Sequence, residues 1–401
     1  MTETSPSPAR PLRLLAFGIS WPPETFLQRK LLGLARAGLD VTAAVRAKGR
    51  VRGDHLPGVR VIAMGALTPA TFGAMLRAPA RTARAVADVS RFGPTPWSRR
   101  IRRLRNITPL VDLRPDVVHF EWNSAAIDYF PFIDLWQAPI VISCRGTQIF
   151  VRPHVNGGYA ELLRRTFDAA AAVHCVCDAI RDEAVALGLD VRKTVVIRPA
   201  VDTREFTPAS RDAGPMLHLV AVGALNWRKG YEYALRTLRG VLDRGVAARL
   251  SIVGAGDELQ RLRCAIDELR LRDHVVLCGT LPPMQVRELL READVFLHSS
   301  LGEGISNSVL EAMACGVPIV TTEAGGMREA VTDGREGFVL AARDVDGAAL
   351  AIERLARDAG LRRVMGAHAR ATALARFDLP NQVTQFKALY ERLASPRMPG
   401  T

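Results

Sequence analysis

A chain of 401 residues with 48% hydrophobic and 24% charged side chains has an ordinary globular composition, and it is too long for one core, so two domains of roughly 200 residues each are expected. The formal net charge of +13 points to an anionic partner. No uninterrupted apolar run approaches the roughly 20 residues that span a bilayer, which argues against a transmembrane helix.

The opening residues, Met1 to Pro8, carry acidic, Pro and Ser residues where a signal peptide needs basic ones, and no small-residue cleavage site follows. A short disordered tail running into a first strand is expected, and with it a cytoplasmic location. Strands are then predicted at Leu12 to Phe17, Val41 to Val45, Val59 to Ala63, Asp116 to Glu121, Pro139 to Cys144, Ala172 to Cys177 and Thr194 to Arg198. Helical patterns separate most of them, notably Thr25 to Ala37 and Tyr159 to Ala170. Continuous apolar strands alternating with helices mean a parallel sheet covered on both faces.

Charge is uneven along the chain. Residues 1 to 200 hold 28 Lys and Arg against 16 Asp and Glu, a net of +12, while residues 201 to 401 hold 26 against 25. Within the first half, Pro94 and Pro96 introduce a helix in which Trp97, Ile101 and Leu104 recur at helical spacing while Arg99, Arg100, Arg102, Arg103 and Arg105 fill the remaining circumference. Such a basic amphipathic segment suits an anionic membrane surface, at the inner face of the cell membrane; nucleic acid is the other standard partner and is not expected here. A solvated arginine-rich helix is the plainer alternative.

A turn-rich stretch from Arg198 to Pro215 lacks core periodicity and reads as an interdomain linker. The pattern then restarts, with strands at Leu217 to Val222, Arg249 to Val253, Val275 to Leu277, Val295 to Leu297, Ile319 to Thr321 and Phe338 to Leu340. The chain closes on helices at Ala348 to Leu355, Leu361 to Ala375 and Asn381 to Leu393. The expectation is α/β architecture, two doubly wound domains facing across a cleft, with ligands at the carboxyl ends of the strands. The domains are placed at 1–205 and 206–379, and a final helix at about 380–401 is expected to pack back on the first.

Several segments carry chemistry. Gly223-Ala224-Leu225-Asn226-Trp227-Arg228-Lys229-Gly230 follows a strand and precedes a helix, where adjacent cations suit a diphosphate. Gly254-Ala255-Gly256 follows the next strand, but Leu259 stands where a dinucleotide fingerprint needs glycine, so a tight strand-to-helix turn is expected. Glu303 and Glu311 lie eight residues apart, the first between Gly302 and Gly304 and the second inside a helix opened near Ser306 and stopped by Gly316 and Pro318. Two carboxylates bracketing a helix start with free N–H groups suit a ligand with hydroxyls at both ends and a diphosphate between, the layout of a nucleotide-sugar. Asp344-Val345-Asp346 precedes a helix and reads as its cap rather than a metal pair. The six cysteines, Cys144, Cys175, Cys177, Cys264, Cys278 and Cys315, lie mostly in apolar strand-like runs and show no zinc-site spacing. Buried free thiols are expected, which suits a reducing compartment.

Together, Arg228-Lys229-Gly230, the Val253 to Gly256 turn, the Glu303 to Glu311 spacing, Glu311-Ala312-Met313-Ala314-Cys315-Gly316-Val317-Pro318 and Gly325-Gly326-Met327-Arg328-Glu329 resemble glycosyltransferase family 4, retaining enzymes of the GT-B fold. The first half matches more loosely, through Glu24-Thr25-Phe26, Asp116-Val117-Val118-His119 and Asp202. The resemblance implies that Lys229 and Arg228 neutralise charge on a departing nucleoside diphosphate, assisted by backbone donors around Gly304, Ile305, Ser306 and Asn307. It implies that Glu303 holds the hydroxyls of the donor sugar and Glu311 those of the ribose, with Gly223 and Gly254 lining the donor site. His119, Arg145 and Glu24 would belong to the first-domain or acceptor side. No cofactor and no metal are expected. Ala224 departs from the family's usual Arg, Trp21-Pro22-Pro23-Glu24 from its paired glycines, and Arg145-Gly146 from its His-Gly. The implied activity moves a sugar from a nucleoside-diphosphate donor, UDP- or GDP-linked, to a lipid-linked saccharide, polysaccharide or glycolipid of the cell envelope. An epimerase or phosphorylase of the same fold, and a non-catalytic membrane or nucleic-acid scaffold, are the rivals.

Overall fold

The computed structural model describes residues 10–46, 56–91, 95–209, 214 and 216–395. The expected N-terminal tail, the helix-introducing Pro94 and part of the linker lie outside the described residues. By its packing the chain divides into two units, the first holding Met1–Cys175, Glu183–Ile197 and Val383–Thr401, and the second Val176–Asp182 and Arg198–Gln382.

Unit 1 is built on strands β1 (Arg13–Ser20), β2 (Asp40–Arg46), β3 (Val59–Ala63), β4 (Val117–Phe120), β5 (Ile140–Cys144), β6 (Ala172–Cys175) and β7 (Thr194–Val196). They form one seven-stranded sheet in the order β3-β2-β1-β4-β5-β6-β7. All its pairings are parallel, with Leu14 beside Val117 and Phe17 beside Phe120 at the central pair. β4, β5 and β6 are buried along their whole length, the burial expected of a parallel sheet with helices on both faces. The strand order reverses between β1 and β4, so the carboxyl ends of these two strands form the crevice in which doubly wound sheets carry ligands.

Unit 2 repeats the plan with β8 (Leu217–Val222), β9 (Ala248–Val253), β10 (Val275–Gly279), β11 (Val295–His298), β12 (Ile319–Thr322) and β13 (Gly337–Leu340). Their order is β10-β9-β8-β11-β12-β13, again all parallel, and the reversal lies between β8 and β11. Leu219, Leu235, Leu238, Leu250 and Ile352 make the centre of a core between this sheet and the helices Tyr231–Asp243 and Val345–Arg357. Asp344 caps the second of these helices, its Oδ1 accepting from the Gly347 N–H at 2.9 Å, as its place before the helix suggests.

Two expectations are corrected. The stretch after Arg198 is not a free linker: Val201, Thr203 and Phe206 are buried, and Val201 pairs with Asp378. Arg370 donates to the carbonyls of Thr203 and Phe206, so backbone hydrogen bonds hold this segment where no hydrophobic periodicity advertises it. Cys264 is exposed on the helix Leu259–Glu268, and Cys278 is half-buried on the edge strand β10, which has a neighbour on one side only. Cys144, Cys175, Cys177 and Cys315 are buried, and none of them is in a disulfide among the described residues.

Candidate functional site

Unit 2 draws its carrier residues to the switch point between β8 and β11. After β8 the chain passes Gly223 and the exposed Ala224 into a short 3-10 turn, Trp227–Lys229, closed by Gly230 at φ 60° and ψ 31°. A Cβ on Gly230 would stand 2.2 Å from the Ser299 carbonyl oxygen, so only glycine lets this turn approach the end of β11. Ser299 Oγ donates to the Lys229 carbonyl and Ser300 Oγ to the Arg228 carbonyl, each at 3.0 Å. The Leu301 N–H donates to the same Arg228 carbonyl at 2.6 Å. These three bonds pin the turn carrying Arg228 and Lys229 to the loop carrying Glu303.

The result is an ion pair. Lys229 Nζ donates to Glu303 Oε2 at 2.5 Å, with side chains only 16% and 19% exposed. Burial pushes the Glu303 carboxyl up, but the Lys229 ammonium overrides it and holds the group below the ordinary carboxylate range. Glu303 is thus a carboxylate in a site where a cation is fixed beside it. Ser306 then opens the helix Asn307–Ala314 without capping it by a side-chain bond. Its Oγ lies 3.0 Å from Ser308 Oγ, and Ser308 donates to the Val222 carbonyl at 3.0 Å, which ties the helix start to the end of β8. The Asn307 Oδ1 atom is buried and has no hydrogen-bond partner among the described residues. Ile305, Val309, Leu310 and Met313 are buried, and Glu311 is half-buried one turn into the helix. Gly254 sits where a Cβ would stand 1.9 Å from the Gly223 carbonyl oxygen, so the two strand-end loops touch backbone to backbone.

His298, unmarked in the sequence as a site residue, belongs to this cluster. It ends β11, is 5% exposed, and places Nε2 3.9 Å from Glu303 Oε2. A lone histidine in an apolar strand gives no sequence signal beyond its position at a strand's carboxyl end.

In unit 1 the structure treats the predicted residues differently. Arg145 follows β5, and its guanidinium donates to the Glu121 carbonyl at 3.0 Å and to Glu121 Oε2 at 3.1 Å while lying over the rings of Phe26 and Trp122. Burial, partly offset by Glu121, lowers its pKa. Glu24 is exposed and precedes the helix Thr25–Arg36 without a capping bond. His119 is fully buried, an interior placement rather than the ligand-facing one its resemblance implies. Its partners can be assigned by proton count. His174 Nε2 faces the Ile197 carbonyl at 2.8 Å and must donate, so its Nδ1 accepts from Ser143 Oγ at 2.7 Å. Ser143 Oγ then accepts from His119 Nε2 at 2.8 Å, and His119 Nδ1 accepts from Tyr390 Oη at 2.6 Å and Lys30 Nζ at 3.2 Å. Burial, then the Lys30 and Arg145 charges, keep this imidazole neutral. Glu121 and Lys30, 2.7 Å apart and both buried, were not marked by the sequence as a pair.

The basic helix Trp97–Ile107 leaves Trp97 64% and Ile101 59% exposed, with Arg99, Arg102 and Arg105 in solvent beside them. Leu104 is half-buried, Arg100 lies over the Trp97 ring, and Arg103 pairs with Asp128 at 2.8 Å. No described helix is long and apolar enough to cross a membrane. Among the described residues no three His, Cys, Asp or Glu side chains group as a metal ion would require.

Comparison with known proteins places these features in context. Residues 205–372 match the family described as glycosyl transferases group 1, and residues 24–205 the one described as Glycosyltransferase Family 4. A putative colanic acid biosynthesis glycosyltransferase, WcaL of Salmonella typhimurium, is 31% identical over 214 residues, 52% of each chain, so this chain spans about half the length of that curated relative. The glycogen synthase of Mycobacterium tuberculosis is 31% identical over 324 residues, 74% of this chain and 75% of that one. Among solved structures, Anabaena Alr3699/HepE in complex with UDP and glucose superposes with a TM-score of 0.72 at 18% identity, covering 95% of this chain and all of that one.

Proposed function

The chain belongs to glycosyltransferase family 4 and has the GT-B fold, and from that premise we propose that it transfers a sugar from a nucleoside-diphosphate donor to an acceptor hydroxyl with retention. The observation that carries the reading is the Lys229–Glu303 pair at the β8–β11 switch point, beside the start of the helix Asn307–Ala314. When the sugar–phosphate bond breaks, negative charge builds on the leaving diphosphate. Lys229 meets it as a fixed cation, Arg228 adds a second, and the N–H groups of the helix's first turn supply donors that need no reorganisation. Such groups replace a metal ion's role, so the reading calls for no metal. Glu303 then holds hydroxyls of the transferred sugar and Glu311 those of the ribose.

The named relative in colanic acid biosynthesis supports a cell-envelope saccharide or its lipid-linked precursor as acceptor. The exposed Trp97 and Ile101 amid arginines support work at the inner face of the membrane, as a peripheral protein. Thermal shift against UDP-, GDP- and ADP-sugars tests the donor, since a ligand bound only by the folded state raises the melting temperature. One nucleotide class should stabilise the protein and Lys229→Ala should remove the effect, with EDTA changing neither. Stabilisation by none of the three would overturn the reading.

A further inference from the structure

His298 presents an acceptor that no described residue answers. Thr321 Oγ1 lies 2.9 Å from His298 Nδ1 and 3.0 Å from the Thr322 carbonyl oxygen. A hydroxyl has one hydrogen and a carbonyl can only accept, so Thr321 donates to Thr322 and His298 Nδ1 carries the imidazole hydrogen. Nε2 is therefore a bare lone pair. It is buried, has no hydrogen-bond partner among the described residues, and faces Glu303 Oε2 at 3.9 Å, which is itself an acceptor.

Neither neighbouring hydroxyl has a hydrogen to spare: Ser299 Oγ donates to the Lys229 carbonyl and Ser300 Oγ to the Arg228 carbonyl. Lys229 Nζ directs a hydrogen to Glu303 and makes no bond to Nε2. Protonation does not resolve the contact either, because burial, reinforced by the Lys229 charge, pushes the imidazole down to about 3. A buried acceptor is costly to leave without a donor, and this one stands beside the carboxylate already assigned to sugar hydroxyls.

We propose that His298 is a specificity-determining residue of the donor site, its Nε2 accepting a hydrogen bond from a hydroxyl of the transferred sugar adjacent to the hydroxyl held by Glu303. The inference rests on the glycosyl-transfer reading above. It requires a donor sugar with two neighbouring free hydroxyls, because a site built to bind a hydroxyl discriminates against the analogue that lacks it.

Calorimetric titration tests this with UDP-glucose, UDP-galactose, UDP-N-acetylglucosamine, GDP-mannose and ADP-glucose, followed by the 3-, 4- and 6-deoxy analogues of whichever binds. The wild type should discriminate about tenfold or more at two adjacent ring positions, as two lost hydrogen bonds predict. His298→Leu should abolish discrimination at one position, keep it at the other, and leave affinity for the nucleoside diphosphate alone unchanged. His298→Gln, whose amide oxygen can accept, should restore part of it. Wild-type discrimination at one position or none overturns the proposal even if no variant folds, and so does a Leu variant with wild-type ratios. Failure of all five nucleotide-sugars to bind overturns the donor reading itself, an outcome distinct from binding without dependence on His298.

Discussion

Lys229 and Glu303, 74 positions apart in the chain, meet at 2.5 Å because the loops after β8 and β11 are bonded to each other through Ser299, Ser300 and Leu301. The pair is mostly buried, so removing one partner strands the other. Lys229→Ala should lower turnover by about 100- to 1000-fold, the range for losing one preorganised group at a developing charge. It should also cost about 1–3 kcal/mol of stability by leaving a buried carboxylate unpaired. Glu303→Gln should lose turnover with a smaller stability cost. A double variant as slow as the worse single one indicates one functional unit; additive losses would show two independent roles.

The backbone contact between Gly254 and Gly223 gives a second test. Gly254 has φ 143° and no room for a Cβ, so Gly254→Ala must push the strand-end loops apart. Urea unfolding should show a loss of about 2 kcal/mol or more, typical of strain at a special backbone position, together with weakened donor binding. Gly245→Ala serves as control, since its φ is also positive but no atom of the described residues lies within 4 Å of an added Cβ; equal losses at both sites would leave φ alone as the cause.

Buried imidazoles set the acid limb of stability. His298 is pushed down to about 3, and burial together with neighbouring cations depresses His119 and His174 as well. In the unfolded chain these groups bind protons below about pH 6.5, while the folded protein does not until much lower. The unfolded state therefore binds more protons in that window, and stability falls as pH falls. The urea midpoint should drop between pH 6.5 and 5.5, each histidine adding at most about 1.4 kcal/mol per pH unit. His298→Leu should flatten the slope; an unchanged slope would remove His298 from the account.

Almost all of the sheet framework was legible in the sequence, because parallel strands buried on both faces, such as Ile140–Cys144, read as unbroken apolar runs. The helix carrying Glu311 was legible too, from its glycine and proline punctuation. What was not legible depends on distance in the chain. His298 acquires its tautomer from Thr321, on the neighbouring strand. Lys30 stands on the buried face shared by Leu27, Leu31 and Leu34, yet what makes a lysine tolerable there is Glu121, 91 positions away. The segment Val201 to Phe206 is held by partners around Arg370 and Asp378, beyond any local pattern.

The helix Trp97–Ile107 predicts a salt-sensitive membrane interaction. Between residues 67 and 107 the sequence has nine arginines and one aspartate, and exposed Phe72, Leu76, Trp97 and Ile101 accompany them. Arginines near an anionic surface contribute about 1 kcal/mol each. Reversing Arg99, Arg102 and Arg105 to Glu should reduce flotation with phosphatidylglycerol vesicles more than tenfold, and Trp97→Ala with Ile101→Ala should reduce it at high salt as well. Equal flotation with neutral vesicles, or none, would sink the peripheral reading.

Lys30 supplies the last test, because Glu121 serves two cations inside unit 1. Glu121 Oε1 accepts from Lys30 at 2.7 Å and Oε2 from Arg145 at 3.1 Å. Burial, opposed by Glu121, brings the Lys30 pKa down to about 8. Between about pH 8 and the ordinary lysine value near 10.4, the unfolded chain keeps this proton and the folded one releases it. Stability should therefore rise with pH across that window for this group. Lys30→Met leaves the Glu121–Arg145 pair intact and puts an apolar chain of similar length near Phe386, so its cost should stay under about 2 kcal/mol and the rise should vanish. Glu121→Gln instead strands two buried cations and should cost about 3–5 kcal/mol. Chemical denaturation of both variants at pH 7.5 and 9.5 decides the matter: if Lys30→Met is the more damaging, Lys30 and not Glu121 is the group on which the network depends.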